Sequence, residues 1–261
     1  MSDTVLYEVA DGVATLTLNR PERLNAYTGE MGERYSELLD AADADPEVRV
    51  IVVTGAGRGF CAGADMDMLQ GIGAAGGATG SEPRDTSQVQ ALRLRTPIIA
   101  AINGPCAGIG LVTAVMCDLR FAAAGAKLTT AFSRRGLVAE HGISWVLPRL
   151  VGPAVALDLL LSARVVLAEE ALELGLVNRV VAPERLMDET LAYARDLAAN
   201  VSPTSMAVIK AQVWSHLDTS LDAATTHADQ LMRESLGRAD FREGVASFVE
   251  KRPPRFAPLG G

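Results

Sequence analysis

Apolar and polar positions divide this chain into a mixed first part and a purely helical last part. Val5 to Val9 and Val13 to Leu18 alternate apolar with polar residues on either side of Asp11 and Gly12, which predicts an antiparallel hairpin. Thr28 is placed to cap a helix carrying Met31, Tyr35, Leu38, Leu39 and Ala42 on one face. Val48 to Val53 is an almost unbroken β-branched run, the pattern of a strand covered on both sides. A glycine-rich turn, Gly55 to Asp65, follows it. Residues 71–80 (GIGAAGGATG) are low in complexity and predict a mobile loop, either plain or closing over a substrate. Helical pattern resumes between Asp85 and Arg95.

Pro97 to Ile102 predicts a second buried strand, leading through Gly108 and Gly110 into an apolar helix from Ile109 to Met116. Leu119 to Ala122, Lys127 to Thr130 and Val177 to Val181 read as short strands. Pro153 to Leu161 and Ala168 to Leu174 read as helices, with Gly175 closing the second. From Pro183 onward only helical pattern remains: Leu186 to Ala199, Ser202 to Leu217, Asp218 to Leu236 and Phe241 to Lys251. Ser202 and Pro203 form a cap and first-turn pair. Mixed elements early and helices alone late predict an α/β core over residues 1–200 and a helical region over residues 201–261.

Composition narrows the classes. A length of 261 residues suits one large domain, or one domain with a helical appendage. The formal charge of −8 argues against a general nucleic-acid binder, but local cations or helix N-termini could still hold an anionic ligand. Thr96 to Cys117 carries no charge and is long enough to mimic a membrane span. Pro97, Asn103, Gly104 and Pro105 break it, so a buried strand, turn and helix is the expectation, with no membrane partner. Cys61, Cys106 and Cys117 are too few and of the wrong parity for a disulfide framework, and they sit among apolar neighbours. Buried thiols in a reducing compartment follow. With no signal-like pattern at the N-terminus, the expected location is cytoplasmic.

Familiar chemical motifs are mostly absent. No phosphate-binding P-loop occurs, Gly55, Gly57 and Gly59 lack the spacing of a dinucleotide fingerprint, and residues 142–146 lack the last glycine of a nucleophile elbow. His141, His216 and His227 are far apart in sequence, so no metal site is expected. What remains is two glycine turns, each after a buried strand. A chain that turns at Gly108 and Gly110 and then enters a helix offers unpaired N–H groups where negative charge can be held. If Gly55 to Asp65 supplies a facing N–H, the pair makes an oxyanion hole for an enolate or tetrahedral oxyanion.

RPERLNA (Arg20 to Ala26), TGAGRGFCAGADM (Thr54 to Met66), AAINGPCAGIGLVTAVMCD (Ala100 to Asp118), GLVAEHGISWVLPRLVG (Gly136 to Gly152) and FVEKRPPRF (Phe248 to Phe256) occur in that order. Together they resemble the crotonase family, the enoyl-CoA hydratase/isomerase superfamily, over nearly the whole chain. The resemblance implies an α/β, crotonase-like ββα spiral core with a helical C-terminal module for trimerisation. It also implies a homotrimer or hexamer and acyl-CoA thioester substrates. No cofactor is implied, since coenzyme A is part of the substrate. By position, the oxyanion donors would be the backbone N–H groups of Ala64 and Ile109, the latter standing where the family usually has glycine. The CoA cradle would include Arg23, Leu24, Ala26, Ala62, Asp65, Met66 and Gly108. Phe248 and Lys251 would reach it from the C-terminal helix, of this or a neighbouring subunit, although helix packing alone would also account for Phe248.

The acids decide the reaction. Two-carboxylate hydratases of this family have glutamates at positions occupied here by Val112 and Phe132, neither of which can move a proton. Glu140 instead matches the position at which family isomerases carry an acid, and at which a dehalogenase branch carries a nucleophile. A single carboxylate suffices to shift a double bond. Leu137, Val138 and Trp145 would bury this one and strengthen it as a base. Taken alone, Glu140 would read as an exposed loop acid or a helix cap. His141 could assist it or simply satisfy a loop carbonyl, and Arg134 and Arg135 read as a solvated or intersubunit basic pair. The favoured expectation is an enoyl-CoA isomerase with Glu140 as proton shuttle. The alternatives are hydration by Glu140 alone, hydrolysis or C–C cleavage of a specialised thioester, and a non-catalytic CoA-binding scaffold. RNA binding is disfavoured by the acidic balance.

Overall fold

A computed structural model describes residues 3–74 and 88–259, with nothing said here of the side chains of residues 72–74. The first elements are β1 (Val5–Ala10), β2 (Val13–Leu18), α1 (Gly29–Ala44), β3 (Val50–Gly55) and α2 (Met66–Ala74). Then come α3 (Gln90–Arg93), β4 (Ile98–Ile102), β5 (Cys106–Ala107), α4 (Ile109–Val115), β6 (Leu119–Ala123) and β7 (Lys127–Thr129). After them follow α5 (Ile143–Val151), α6 (Pro153–Ser162), β8 (Val166–Leu167), α7 (Ala168–Glu173) and β9 (Arg179–Val181). The chain ends in α8 (Leu186–Asn200), α9 (Pro203–His216), α10 (Leu221–Leu236) and α11 (Ala239–Glu250).

One sheet has the order β1-β2-β3-β4-β6-β9, and β5-β7-β8 form a second. Only β1 and β2 pair antiparallel in the first; their turn places Asp11 and Gly12 at positive φ (53° and 76°), the backbone that closes a two-residue hairpin. From β3 onward a unit repeats: a strand in the large sheet, a strand or bridge in the second, then a helix. β3 leads through the Cys61–Cys106 bridge to α2, β4 through β5 to α4, and β6 through β7 to α5. This is the mixed α/β core that the sequence pattern predicts, built of the ββα units that the resemblance implies.

Local chemistry explains the main elements. All six residues of β3 and all five of β4 are buried, as continuous apolar strands between two neighbours should be. The Thr28 side chain accepts from the Met31 N–H and starts α1, whose Met31, Tyr35, Leu38, Leu39 and Ala42 are buried as expected. Ser202 caps α9 the same way, accepting from the Ser205 N–H. The uncharged stretch Thr96 to Cys117 is divided among β4, β5 and α4, and no helix among the described residues is long and apolar enough to cross a membrane. All three cysteines are buried and free. Burial pushes the Cys61 thiol up to about 11 and Cys117 up to about 12.

Some expectations need correction. The glycine-rich segment begins inside α2, which runs to Ala74; its remainder, residues 75–80, lies outside the described residues. Of the helix expected between Asp85 and Arg95, residues 85–87 also lie outside, and among the described residues Gln90–Arg93 is the helical part. The two-residue strands β5 and β8 were not predicted.

The last helices are tied to the core by a lysine that reads as surface in the sequence. Lys210 of α9 is buried and donates to the Asp118 carboxylate at 2.8 Å, the Ala91 carbonyl at 2.9 Å and the Thr96 carbonyl at 3.2 Å. All three ammonium hydrogens thus have acceptors. Asp118 also receives the Ile98 N–H at 2.8 Å, at the start of β4. Lys210→Met would strand the carboxylate and two carbonyls, so a loss of about 3 kcal/mol is expected by chemical denaturation. A loss below about 1 kcal/mol would show that the pair is not needed to hold α9.

Candidate active site

Both glycine turns leave the C-terminal ends of β3 and β4, which are hydrogen-bonded neighbours in parallel (Ile51 with Ile98, Val53 with Ala100). Ligand crevices of parallel sheets open at these ends. The turns then close on each other backbone to backbone. A β-carbon at Gly110 would lie 2.3 Å from the Cys61 carbonyl oxygen, and one at Gly104 would lie 2.2 Å from that of Arg58. One at Gly108 would touch the Gly63 α-carbon at 3.8 Å. The residues that follow Gly63 and Gly108 are the two proposed donors.

Among the described residues, the turn and loop hydrogen bonds of their neighbours include no acceptor for either candidate N–H. Tyr27 pairs with the first turn by donating its N–H to the Gly63 carbonyl (2.8 Å) and accepting the Asp65 N–H (2.9 Å). Successive peptides of an extended chain point to opposite sides, so the Ala64 N–H faces away from Tyr27. In the second turn, Gly108 donates to the Thr129 carbonyl at 3.1 Å and precedes α4, leaving Ile109 as the first helical residue, whose N–H has no acceptor within the helix. Ala64 and Ile109 both line a cavity of about 580 Å³. The side chain of Ile109 is half-buried and packs against the core.

Arg23, Ala26, Ala62, Asp65, Met66, Gly108 and Glu140 line the same cavity. Leu24 does not; its carbonyl accepts the Ala62 N–H at 3.0 Å and fastens the cradle from behind. Asp65 is already engaged. Arg20 donates to one of its oxygens at 2.9 Å, and the Asp67 N–H donates to the other at 3.0 Å. The Arg20 contact first, then the Asp67 N–H, hold this carboxyl below the usual aspartate range. Arg23 is exposed and 3.7 Å from Asp67.

Phe248 and Lys251 stand elsewhere. Phe248 is 85 % exposed and borders a second cavity of about 490 Å³ with Phe241 and Phe256. Lys251 ends α11 in the left-handed conformation and is exposed. Neither touches the first cavity of this chain. The tail beyond them is clamped by Glu243, which accepts from Arg252 through both oxygens (2.6 and 3.0 Å) and from the Arg255 N–H (2.6 Å).

Glu140 and His141 both line the first cavity, with Nε2 of His141 3.4 Å from the Glu140 carboxylate. The side chain of Glu140 is 34 % exposed. Its expected apolar jacket is incomplete: Leu137 is exposed, Val138 is 77 % exposed, and Trp145 stacks on Trp214 of α9 with ring centres 6.0 Å apart. Nor does Glu140 cap α5, where Gly142 holds the cap position; its carbonyl accepts the Ile143 N–H at 3.0 Å. His141 and Gly142 sit at positive φ (52° and 79°), a backbone unusual for a histidine.

Val112 is buried in α4, and Phe132 is buried in the cavity wall. Of the basic pair, Arg134 donates to the Ser162 carbonyl at 3.0 Å, whereas Arg135 lines the cavity. His216 and His227, distant in sequence, meet at 2.9 Å across α9 and α10. Among the described residues no three His, Cys, Asp or Glu side chains are grouped to hold a metal ion.

Several structural residues were missed. Asn25 is buried and donates to the Ala56 and Gly59 carbonyls (3.0 and 2.8 Å), and Asn103 donates to those of Gly55 and Gly57 (2.8 and 3.0 Å). The two asparagines fix the first turn from either side. Tyr27, Gln88 and Thr113 form a buried polar chain: Gln88 to the Tyr27 hydroxyl at 2.6 Å, and the Thr113 hydroxyl to Gln88 at 2.9 Å. Burial pushes the Tyr27 phenol up, so it stays protonated.

Two backbone turns meeting at strand ends beside an open cavity are an arrangement suited to holding a developing oxyanion. A family model described as "Enoyl-CoA hydratase/isomerase" matches residues 8–258, and the chain belongs to that family of enzymes, the crotonase family. The Escherichia coli protein named "1,2-epoxyphenylacetyl-CoA isomerase" is 38% identical over 261 residues, covering 98% of this chain and 99% of that one. The crystal structure titled as a probable enoyl-CoA hydratase/isomerase from Mycobacterium abscessus has a TM-score of 0.90 at 36% identity, covering 98% and 99% of the two chains. That of an enoyl-CoA hydratase from Mycobacterium marinum is 54% identical with a TM-score of 0.70, covering 82% of this chain and 98% of that one.

Two outcomes follow from this geometry. Gly110→Ala forces the turns apart and is expected to lower stability by about 1–3 kcal/mol by chemical denaturation; wild-type stability would show the contact is dispensable. The contacts of Glu243, led by Arg252, hold its carboxyl down at about 2, against an ordinary value of 4.5. Its contribution to stability is therefore complete above about pH 4.5 and is lost as pH falls toward about 2. In an NMR titration the Arg255 amide is expected to keep its docked shift at pH 3.5, and release of the tail with a midpoint above pH 4 would contradict the clamp.

Proposed function

We propose that this enzyme shifts the double bond of an enoyl-CoA thioester, with Glu140 as the proton shuttle. One observation carries the reading. Among the described residues that line the cavity, the carboxylates are Asp65 and Glu140, and Asp65 is already committed to Arg20 and the Asp67 N–H. Glu140 is the carboxylate left for chemistry, with His141 beside it. It would take a proton from the carbon beside the double bond while the thioester oxygen, gaining charge, rests on the N–H groups of Ala64 and Ile109. The same carboxylic acid would return the proton at the far end of the dienolate. Atoms balance without added water, and no second acid is required.

Arg23, Ala26, Ala62, Met66 and Gly108 would line the path of the CoA moiety. The exposed apolar residues of α10 and α11, among them Leu221, Met232, Phe248 and Val249, favour self-association into a homotrimer or hexamer. In such an assembly Phe248 and Lys251 would act on a neighbour's CoA rather than their own.

Hydration is the second reading, and the His141–Glu140 pair favours it: two groups 3.4 Å apart could hold a water between them and the substrate. Incubation with 3-enoyl-CoA and 2-enoyl-CoA in deuterated water separates the two. Isomerisation with label exchange is expected, and 3-hydroxyacyl-CoA as the sole product would overturn it. Glu140→Gln should cut turnover by about 10²–10⁴-fold and keep thioester binding. Undiminished turnover would remove Glu140 from the mechanism, and a wild-type protein that binds CoA thioesters without turnover would be a scaffold.

A further inference from the structure

The buried chain of Tyr27, Gln88 and Thr113 joins the two arms of the donor site. Tyr27 is bonded through its backbone to the residues on either side of Ala64. The hydroxyl of Thr113, one turn into α4, lies 2.9 Å from the Ile109 carbonyl as well as 2.9 Å from Gln88. Gln88 spans the gap, and its neighbour Val89 packs where a β-carbon on Gly142 would be 3.0 Å from its methyl group. Gln88 therefore stands between the two turns and next to the residue that packs against the Glu140–His141 loop. It is only 4 % exposed, and both it and Tyr27 line the cavity.

Four donor hydrogens are present: one on Tyr27, one on Thr113 and two on the Gln88 amide. The contacts among them and the Ile109 carbonyl number three. With the amide turned so that its nitrogen meets Tyr27, the second N–H of Gln88 and the Tyr27 hydroxyl hydrogen have no acceptor among the described residues. Turned the other way, Tyr27 donates to the amide oxygen, the amide nitrogen donates to Thr113, and Thr113 donates to Ile109. Among the described residues, one N–H of Gln88 is again left over. A hydrocarbon chain in the cavity would displace water and strand that donor, whereas an oxygen on the chain would receive it.

We propose that Gln88 is a specificity residue whose spare N–H selects acyl groups carrying a hydrogen-bond-accepting oxygen beyond the α carbon over plain hydrocarbon acyl groups. The inference rests on the thioester reading above. It is tested with full-length protein by calorimetric binding of hexanoyl-CoA and of analogues in which an ether oxygen replaces the β, γ or δ methylene, none of which can undergo the proposed reaction. Wild-type protein is expected to prefer one ether analogue by about tenfold, the worth of one net hydrogen bond, and Gln88→Met to abolish that preference. Absence of any preference in the wild type overturns the inference, even if the variant does not fold. So does a variant in which affinity for hexanoyl-CoA and the ether analogue falls equally, since that marks a purely structural glutamine. If the wild type binds none of these thioesters, the thioester reading fails and this inference falls with it; binding without discrimination sinks this inference alone.

Discussion

The site depends on two stretches of backbone touching with no side chain between them. Gly110 against the Cys61 carbonyl, and Gly104 against that of Arg58, leave no room for a methyl group. Because β3 and β4 are parallel neighbours, their exits are already side by side; the glycines let the last few ångströms close. Such a contact leaves many peptide groups unable to join a ladder. Asn25 and Asn103 supply what the ladder cannot, accepting and donating around the first turn, including the Arg20 and Gly55 N–H groups. With those partners assigned, Ala64 and Ile109 are the cavity-lining residues whose N–H groups the proposed mechanism would use. The donors are a residue of the packing, so the identity of the Ile109 side chain has little bearing on them.

The legible parts of the fold were those with a repeating pattern. β3 and β4 announce themselves as unbroken apolar runs, and α1 by its cap and apolar face. The two-residue strands β5 and β8 have no period to detect, and exist because the larger units set them side by side. α2 runs through glycines whose helix propensity is poor, so its pattern reads as loop. Lys210 and the His216–His227 pair show a different limit. A lysine on a helix reads as a solvated face, and two histidines eleven apart read as unrelated, until the packing of α9 against the core and against α10 is known.

The candidate site divides the same way. The glycine turns were visible from spacing alone, but Glu140 stood out only through the resemblance of its loop to a family segment. Tyr27, Gln88 and Thr113 are single polar residues in three separate segments, and nothing local marks them as partners. Leu24 and Asp65 show a finer division within the motifs. Both belong to segments that do line or support the cavity, yet one contributes a carbonyl from behind and the other a carboxylate already bonded to Arg20. A motif brings a segment to the site; which atoms face inward is decided by hydrogen bonds to residues the motif does not contain.

That distinction bears on how a lone carboxylate could serve. Glu140 is held by backbone rather than by a jacket of apolar side chains: its carbonyl accepts the Ile143 N–H, and His141 and Gly142 after it occupy left-handed conformations. For a histidine such a conformation costs about 1 kcal/mol or more, and it persists only where the surroundings fix it. Here Val89 fills the space beside Gly142, so the loop is braced by the same segment that carries Gln88. In the proposed reaction the base must reach two carbons of one flat dienolate without changing its seat. A braced loop with a flexible glutamate side chain meets that need better than an aspartate pressed into an apolar pocket, because the side chain can swing while its anchor stays. Partial exposure has a further consequence. In the proposed reaction a proton parked on Glu140 between the two steps would trade with solvent, so the extent of exchange would measure how long the dienolate waits in the cavity.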